Sequence, residues 1–309
     1  MRPITRSRRV EDLELVELVQ KINRQHRTTF AFERRFAAGE SGPARLVDSR
    51  GRRLVLKRAD SSRAATTTDF LRSLGYPVPR YVIVEQSYSV QTELPGRPLS
   101  AIRGIPRAVL RRLIELNELQ GEGALWPASD WPAPVMVPVL SGGVPRIDLR
   151  LIEGHSRAAA LLVGWCQRSV RTYGGLIPPA GDISHWDFAP ANVLVDGEVV
   201  TGVIDWEQTR SGDRLFDLSM LLFHSGARPL RRYLVNRVGE EVVSVYVAHA
   251  CMRRLGWALA AHSPGRAARY VRLAWRALEA AGLSPRARLN LRPELVRSSP
   301  GSPRLSSPS

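Results

Sequence analysis

Three polar residues between positions 187 and 205 have the types and spacing needed for phosphoryl transfer. Asp187 and Asn192 are five residues apart in one short segment, and Asp205 follows thirteen residues later at the end of an apolar run. The Asp196-Gly197 pair between them predicts a hairpin, so one loop and one strand end can meet at a single point. In phosphoryl transfer one Asp orients the acceptor hydroxyl, while an Asn and a second Asp hold Mg²⁺, which prefers oxygen ligands.

A second group of candidate residues lies in the N-terminal part of the chain. Residues 28–57 have a strand-like pattern, contain a loop with the small residues Gly39, Ser41 and Gly42, and end at Lys57. A loop whose backbone N–H groups approach phosphate oxygens needs such small residues. The chain has only two lysines, so a lysine at this strand end indicates a compact point charge directed at a phosphate. Taken alone, the loop fits an ordinary β-hairpin and the lysine fits an exposed strand residue.

The composition is that of a soluble globular protein. With 309 residues, of which 44% are apolar, the chain can bury a large core. No run approaches the eighteen or so apolar residues of a membrane span, and residues 1–25 lack the apolar core of a signal peptide. Cys166 and Cys251 lie in apolar helical contexts without metal-like spacing, so we expect buried thiols. These features predict a cytoplasmic protein without membrane contact.

The net charge of +16 comes almost entirely from arginine. Residues 210–309 alone carry seventeen arginines against six acidic residues. A basic surface can bind nucleic acid, an anionic membrane or an anionic substrate. The arginines are scattered through helical segments without interleaved aromatic residues, so we do not expect nucleic-acid binding.

The pattern His185-x-Asp187-x-x-x-x-Asn192, followed by an apolar strand and Ile204-Asp-Trp-Glu207, resembles the aminoglycoside phosphotransferase and choline kinase superfamily, which shares the protein-kinase fold. By motif the resemblance extends over residues 28–225. It implies an α+β, two-lobed fold with a small β-rich N-terminal lobe and a larger, mainly helical C-terminal lobe. The predicted domains are an N-terminal helical extension (1–25), a nucleotide-binding small lobe (26–94), a catalytic and acceptor-binding large lobe (95–290) and a disordered tail (291–309).

The resemblance also implies a role for each candidate residue. Asp187 would orient the acceptor hydroxyl, His185 would be structural, and Asp217 would brace the catalytic loop. Mg²⁺ would be bound by Asn192 and Asp205, and ATP or GTP would donate the phosphate. The residues implied to hold the nucleotide are Lys57, Gly39, Ser41, Gly42, Glu93 and Leu94. The last two are implied to contact the base through their backbone, although an ordinary strand end before Pro95-Gly96 fits them nearly as well.

Three positions depart from the family's pattern. Trp186 stands where the family usually has Gly or Asn, and it could crowd the acceptor side. The helix predicted over residues 61–75 offers only Asp69, where kinases usually place a Glu that pairs with the strand lysine. Arg214 replaces a usual proline. Glu207 fits the family, and it could assist metal binding, contact the acceptor or be a surface carboxylate.

These observations predict a phosphotransferase that moves the γ-phosphate of ATP or GTP to a hydroxyl of a small molecule. The alternative is a catalytically silent pseudokinase that binds nucleotide or a partner, which the unusual Trp186 and the missing helix Glu favour. The C-terminal part is poor in acids and rich in arginine. This composition argues against a polycationic acceptor such as an aminoglycoside and for a neutral or anionic hydroxylated metabolite.

Overall fold

The computed structural model of the chain describes residues 6–36, 42–123, 125, 131–142, 147–261, 264–280 and 282–283. It forms two compact units. The first is drawn from Met1–Ser129 and Gly181–Asp217, and the second from Asp130–Ala180 and Leu218–Ser309. The predicted α+β class is confirmed, because a small antiparallel sheet region accompanies a larger helical part.

The first unit begins with a long helix and an antiparallel sheet. Its elements are α1 (Arg6–His26), β1 (Ala31–Arg35), β2 (Ala44–Val47), β3 (Arg53–Lys57), α2 (Ser62–Ser73), β4 (Tyr81–Val84) and β5 (Ser89–Thr92). The five strands are ordered β1-β2-β3-β5-β4. Lys57 is the last residue of the central strand β3, and it pairs with Ser89 of β5.

One face of this sheet is buried against α1, and the other face carries Lys57. Leu54 and Leu56 of β3 lie in a hydrophobic core with Leu15 and Val19 of α1. Burial of each such side chain contributes roughly 1.5–3 kcal/mol. Because successive strand residues point to opposite faces, Lys57 lies on the face that α1 does not cover.

The remaining elements of the first unit support the segment that carries Asp187 and Asp205. They are β6 (Arg97–Pro98), α3 (Arg107–Leu119), β7 (Asp182–Ser184), β8 (Val193–Asp196), β9 (Val199–Val203) and β10 (Arg210–Gly212). Strands β6, β8 and β9 form one sheet, and β7 pairs with β10 in another. Gly96 approaches β8 so closely that a Cβ there would lie 2.9 Å from the carbonyl oxygen of Val195, and its φ is +105°. Only glycine fits this turn.

Helix α7 (Arg214–Ser225) starts in the first unit and continues into the second, which is otherwise helical. The other helices of the second unit are α4 (Ala133–Ser141), α5 (Leu149–His155), α6 (Arg157–Tyr173), α8 (Arg228–Ala261) and α9 (Pro264–Ala280). Helix α8 is interrupted at Gly239, whose φ is +83°. Cys166 of α6 and Cys251 of α8 are both fully buried free thiols, as predicted.

Trp131 contributes to the core of this second unit. It is 7% exposed, and its ring centroid lies 5.9 Å from that of Tyr246. The tryptophan therefore packs as an anchor for its segment. Among the described helices, none combines the length and the apolar character needed to cross a membrane.

Candidate active site

Asp187 and Asn192 lie on one tight loop between β7 and β8. The Asn192 Nδ2 amide donates to the backbone oxygen of Asp187 at 2.9 Å and to its carboxylate Oδ2 at 3.3 Å. The backbone N–H of Ala189 also donates to the Asp187 carbonyl. These bonds fix the two side chains relative to each other, as their spacing predicted.

Two hydrogen bonds at Ile204 join this loop to the strand end that carries Asp205. The N–H of Ile204 donates to the carbonyl of Asn192 at 2.9 Å, and His185 Nε2 donates to the carbonyl of Ile204 at 2.9 Å. His185 Nδ1 in turn accepts from the backbone N–H of Asp187 at 3.2 Å. One ring nitrogen therefore donates and the other accepts, which is the pattern of a neutral imidazole. The fully buried His185 acts as a structural bridge.

Asp217 fixes the start of the loop that carries Asp187 and Asn192. Its carboxylate is fully buried and accepts hydrogen bonds from the N–H of His185 at 2.7 Å and the N–H of Trp186 at 2.9 Å. It also accepts from Ser184 Oγ at 3.0 Å and from Gln120 Nε2 at 2.8 Å. Four donors around one buried carboxylate place the loop backbone, which is the bracing contact that the resemblance implied.

Asp205 lies just after β9, at the start of a turn. Its φ of +72° is in the left-handed region, which non-glycine residues seldom adopt outside turns and functional sites. A short 3₁₀ turn, Trp206–Gln208, follows. Trp206 is fully buried, donates from Nε1 to the carbonyl of Val203, and packs with ring centroids 4.5 Å from His185. The buried indole therefore holds the turn that presents Asp205 and Glu207.

Lys57 reaches this turn from β3. Its Nζ donates to Asp205 Oδ1 at 2.8 Å and to both Glu207 carboxylate oxygens at 2.9 Å. Burial lowers the pKa of the Lys57 ammonium, but the two carboxylates outweigh burial and hold that pKa above its ordinary value. Burial likewise raises the pKa of Asp205, and the nearby ammonium more than offsets it, so the Asp205 pKa lies below its usual range. The site therefore holds a charged lysine beside the ionised carboxylate of Asp205.

The structure gives Glu207 a partner, Lys57, that was not among the three alternatives offered by the sequence. Its side chain is only 17% exposed, so it is not a surface carboxylate. Besides Lys57, it accepts from the hydroxyl of Tyr81 at 3.1 Å and from Ser61 Oγ at 3.4 Å. The sequence held one signal for the contact between Glu207 and Lys57. Helix α2 lacks an acid suited to pair with the lysine, and Glu207 follows Asp205 by only two residues.

Trp186 is accommodated inside the first unit. Its φ is +69°, which explains why Gly or Asn suits this position in the family. The indole is 5% exposed, stacks on Phe216 at 4.6 Å, and lies under the Arg210 guanidinium at 3.9 Å. Packing and cation–π attraction offset the cost of the backbone conformation. The side chain is therefore a buried packing residue of this unit.

The predicted nucleotide-binding residues lie in several parts of the first unit. Glu93 follows β5, its N–H donates to the carbonyl of Arg53, and its carboxylate pairs with Arg45 through two hydrogen bonds. Leu94 packs over Gly202 of β9, where a Cβ would lie 2.6 Å from its side chain. Gly42 has a φ of +57° at the end of the small-residue loop. Gly39 and Ser41 lie outside the described residues.

Arg214 and Asp69, two of the unusual positions, form ion pairs elsewhere. Arg214 bridges Asp182 at 2.8 Å and Glu118 at 2.7 Å, and it therefore ties α3 to β7 in place of a rigid proline. Asp69 is 62% exposed and pairs with Arg72 on the same helix. The Lys57 ammonium is bonded to Asp205 and Glu207, so the partner expected from α2 is supplied by another segment.

Comparison with known proteins identifies the family. The profile of the phosphotransferase enzyme family APH matches residues 33–261. None of the curated proteins gave a match.

Solved structures resemble the chain at low identity. Aminoglycoside phosphotransferase APH(4)-Ia is 15% identical with a TM-score of 0.66, over 85% of this chain and 98% of that one. A thermostable mutant of that enzyme, in a ternary complex with ADP and hygromycin B, is 15% identical with a TM-score of 0.65, over 84% and 97%. Macrolide 2′-phosphotransferase MphH from Brachybacterium faecium is 17% identical with a TM-score of 0.57, over 84% and 97%.

At these identities the likeness shows the fold, and the predicted kinase-like fold class is confirmed. The family profile covers more than half of the sequence, including the catalytic loop and the Asp205 turn. The chain therefore belongs to the phosphotransferase enzyme family.

Proposed function

We propose that this protein is a small-molecule kinase, which transfers the γ-phosphate of ATP or GTP to a hydroxyl group of its acceptor. The observation that carries the proposal is the pair of hydrogen bonds at Ile204, which joins the Asp187–Asn192 loop to the Asp205 turn and hence to Lys57. Phosphoryl transfer depends mainly on positioning and electrostatic stabilisation, so a rigid constellation of this kind is what the reaction requires.

In the proposed reaction, Asp187 accepts a hydrogen bond from the acceptor hydroxyl and takes its proton. The hydroxyl oxygen forms a bond to the γ-phosphorus while the bond from that phosphorus to the bridging oxygen breaks, and the nucleoside diphosphate leaves with the bridging electrons. Asp187 is partly exposed and its backbone is pinned by Asn192 and His185, which suits a group that must meet a substrate in one orientation.

Asn192 and Asp205 are the residues that would hold Mg²⁺. Asp205 uses one carboxylate oxygen for Lys57, and its side chain remains 50% exposed. Asn192 uses its amide nitrogen toward Asp187, which turns its amide oxygen to the other side. Both donors are hard oxygens, as the ion prefers, and when bound it neutralises charge on the phosphates. Among the described residues, His, Cys, Asp and Glu form no metal-site cluster of three or more, so a metal here would also need phosphate and water oxygens.

The nucleotide would be held from the N-terminal side of the site. Lys57 would contact the phosphates, together with the loop that contains Gly39, Ser41 and Gly42. The base would meet backbone groups of Glu93 and Leu94. The ion pair between Glu93 and Arg45 supports this assignment, because it directs the carboxylate to Arg45 and fixes the backbone at the strand end.

Two observations bear on the acceptor class, and they favour different acceptors. One relative was solved with hygromycin B, an aminoglycoside. Residues 210–309 of this chain carry seventeen arginines against six acidic residues, which disfavours a polycation. We therefore propose a neutral or anionic hydroxylated metabolite as the acceptor.

The test is Mg²⁺-dependent transfer of labelled γ-phosphate from ATP and GTP to aminoglycosides, macrolides, amino alcohols, sugars and nucleosides. We expect transfer to one acceptor class, with loss of at least a hundredfold in kcat for Asp187→Asn. Asp196→Asn, at the exposed last residue of β8, is the matched control and should retain activity. Nucleotide binding without transfer to any acceptor would favour the pseudokinase alternative, and no nucleotide binding would refute the assignment of the phosphate site.

A further inference from the structure

Helix α2 carries no carboxylate that can pair with Lys57. The sequence of the helix is SRAATTTDFLRS, and its single acid, Asp69, is exposed and bonded to Arg72. The side chains that α2 buries are Ala64, Thr67, Thr68 and Leu71. In kinases, an ion pair between the strand lysine and a helix glutamate must be in place for activity. This chain therefore needs another counter-ion for the lysine.

Glu207 has the contacts of such a counter-ion. Both of its carboxylate oxygens lie 2.9 Å from Lys57 Nζ, whereas Asp205 offers one oxygen at 2.8 Å. Its side chain is 17% exposed and that of Asp205 is 50% exposed, so the Lys57–Glu207 pair is the less hydrated of the two. A buried ion pair with two hydrogen bonds constrains the position of the ammonium more strongly than an exposed pair with one.

Neutral hydroxyl groups hold the Glu207 carboxylate in place. Tyr81 donates to Oε1 at 3.1 Å, and Ser61 donates to the same oxygen at 3.4 Å. Ser61 is the residue immediately before α2, and its Oγ is also 2.9 Å from Ser89 Oγ. Burial and the neighbouring Glu207 raise the pKa of the Tyr81 hydroxyl, which keeps it a neutral donor. The start of α2 thus contributes a hydroxyl where an acid of the helix would otherwise act.

We propose that Glu207, braced by Tyr81 and Ser61, is the positioning residue that holds Lys57 for the nucleotide phosphates, in the role that a helix glutamate fills in other kinases. The inference rests on the proposed function for its nucleotide, but the Lys57–Glu207 contact itself does not. Because Glu207 pairs with the lysine, Asp205 would be available to bind a metal ion.

The test is a double-mutant cycle with Lys57→Ala, Glu207→Gln and the combined variant. The dissociation constant of ATP is measured in EDTA, so that no metal takes part. We expect Glu207→Gln to weaken binding about tenfold when Lys57 is present and less than twofold when it is Ala. Asp69→Asn is the matched control and should change the constant less than twofold.

Tyr81→Phe and Glu207→Asp keep the test decisive if Glu207→Gln folds poorly. Tyr81→Phe removes one hydrogen bond to Glu207 without changing the lysine, and it should weaken ATP binding roughly two- to fivefold. Glu207→Asp keeps the negative charge, so it should weaken ATP binding less than Glu207→Gln does. An equal effect of Glu207→Gln in both lysine backgrounds would overturn the inference. So would an unchanged ATP constant in EDTA with only a higher Mg²⁺ requirement, because Glu207 would then be a metal ligand.

The same cycle measured by urea unfolding of the free protein separates this inference from the proposed function. We expect the two single substitutions to be strongly non-additive, because each removes the same ion pair. A parent protein that fails to bind nucleotide but shows this coupling would refute the kinase assignment and leave the Lys57–Glu207 contact established. Additive effects would overturn the contact itself.

Discussion

Replacement of Asp217 by Asn tests whether its carboxylate holds the catalytic loop. In the native chain, Oδ2 accepts from the N–H of His185 and from Gln120, and Oδ1 accepts from the N–H of Trp186 and from Ser184. An Asn side chain has one acceptor oxygen and one NH₂ group. Either amide orientation therefore turns the NH₂ group toward a backbone N–H and leaves that buried donor without an acceptor.

The magnitude follows from these four bonds. One orphaned buried N–H costs about 1–3 kcal/mol, and the two bonds that the amide oxygen still accepts each lose about 1 kcal/mol because their acceptor is now neutral. Asp217→Asn should therefore reduce the free energy of unfolding by about 3–5 kcal/mol. Because the shifted donors belong to residues 185 and 186, kcat should fall more steeply than stability alone would explain under conditions where the variant is folded.

Urea denaturation followed by tryptophan fluorescence gives the stability change. Asp60→Asn is the matched control in the same unit, because Asp60 is exposed and accepts from the N–H and Oγ of Ser62, a local turn contact that the side-chain oxygen of Asn can also make. We expect the control to leave the urea midpoint nearly unchanged. If Asp217→Asn lowered the free energy of unfolding by no more than about 1 kcal/mol relative to the control, which is the cost of a single hydrogen bond, the bracing role would be refuted.

Three further substitutions probe buried groups. Trp186→Gly relieves the positive φ but removes the indole from between Phe216 and Arg210, so we expect a net loss of about 2–4 kcal/mol, and a gain in urea unfolding would contradict the packing account. Gln91 is 3% exposed and its Oε1 has no hydrogen-bond partner among the described residues, so Gln91→Leu should raise the unfolding free energy by about 1 kcal/mol; a comparable loss would show that the amide is satisfied. Burial, reinforced by two arginines of α8, lowers the pKa of His224 to about 4, so the folded state resists its protonation. The native protein should lose up to about 3 kcal/mol as pH falls from 6.5 to 4, and His224→Gln should remove most of that slope; an unchanged slope in thermal or urea titrations would place its origin elsewhere.

The geometry of the Asp187–Asn192 loop could be predicted from the sequence because it is local. Asp187 and Asn192 are five residues apart, and the hairpin signal at residues 196–197 accounts for the return of the chain to Asp205. The roles assigned to these residues in catalysis and in metal or nucleotide binding remain predictions.

The partners of individual side chains were decided only by the tertiary structure. Lys57 and Glu207 are 150 positions apart, so no local pattern could show that this glutamate meets the lysine while Asp69 does not. The direction of Trp186 was likewise open, since its left-handed backbone conformation sends the indole between Phe216 and Arg210. Local spacing determined which chemical groups the chain offers in one loop, because backbone geometry limits where five residues can go. The ion-pair partner of each group depends on how strands and turns that are distant in sequence pack together, and this packing exists only in the folded chain.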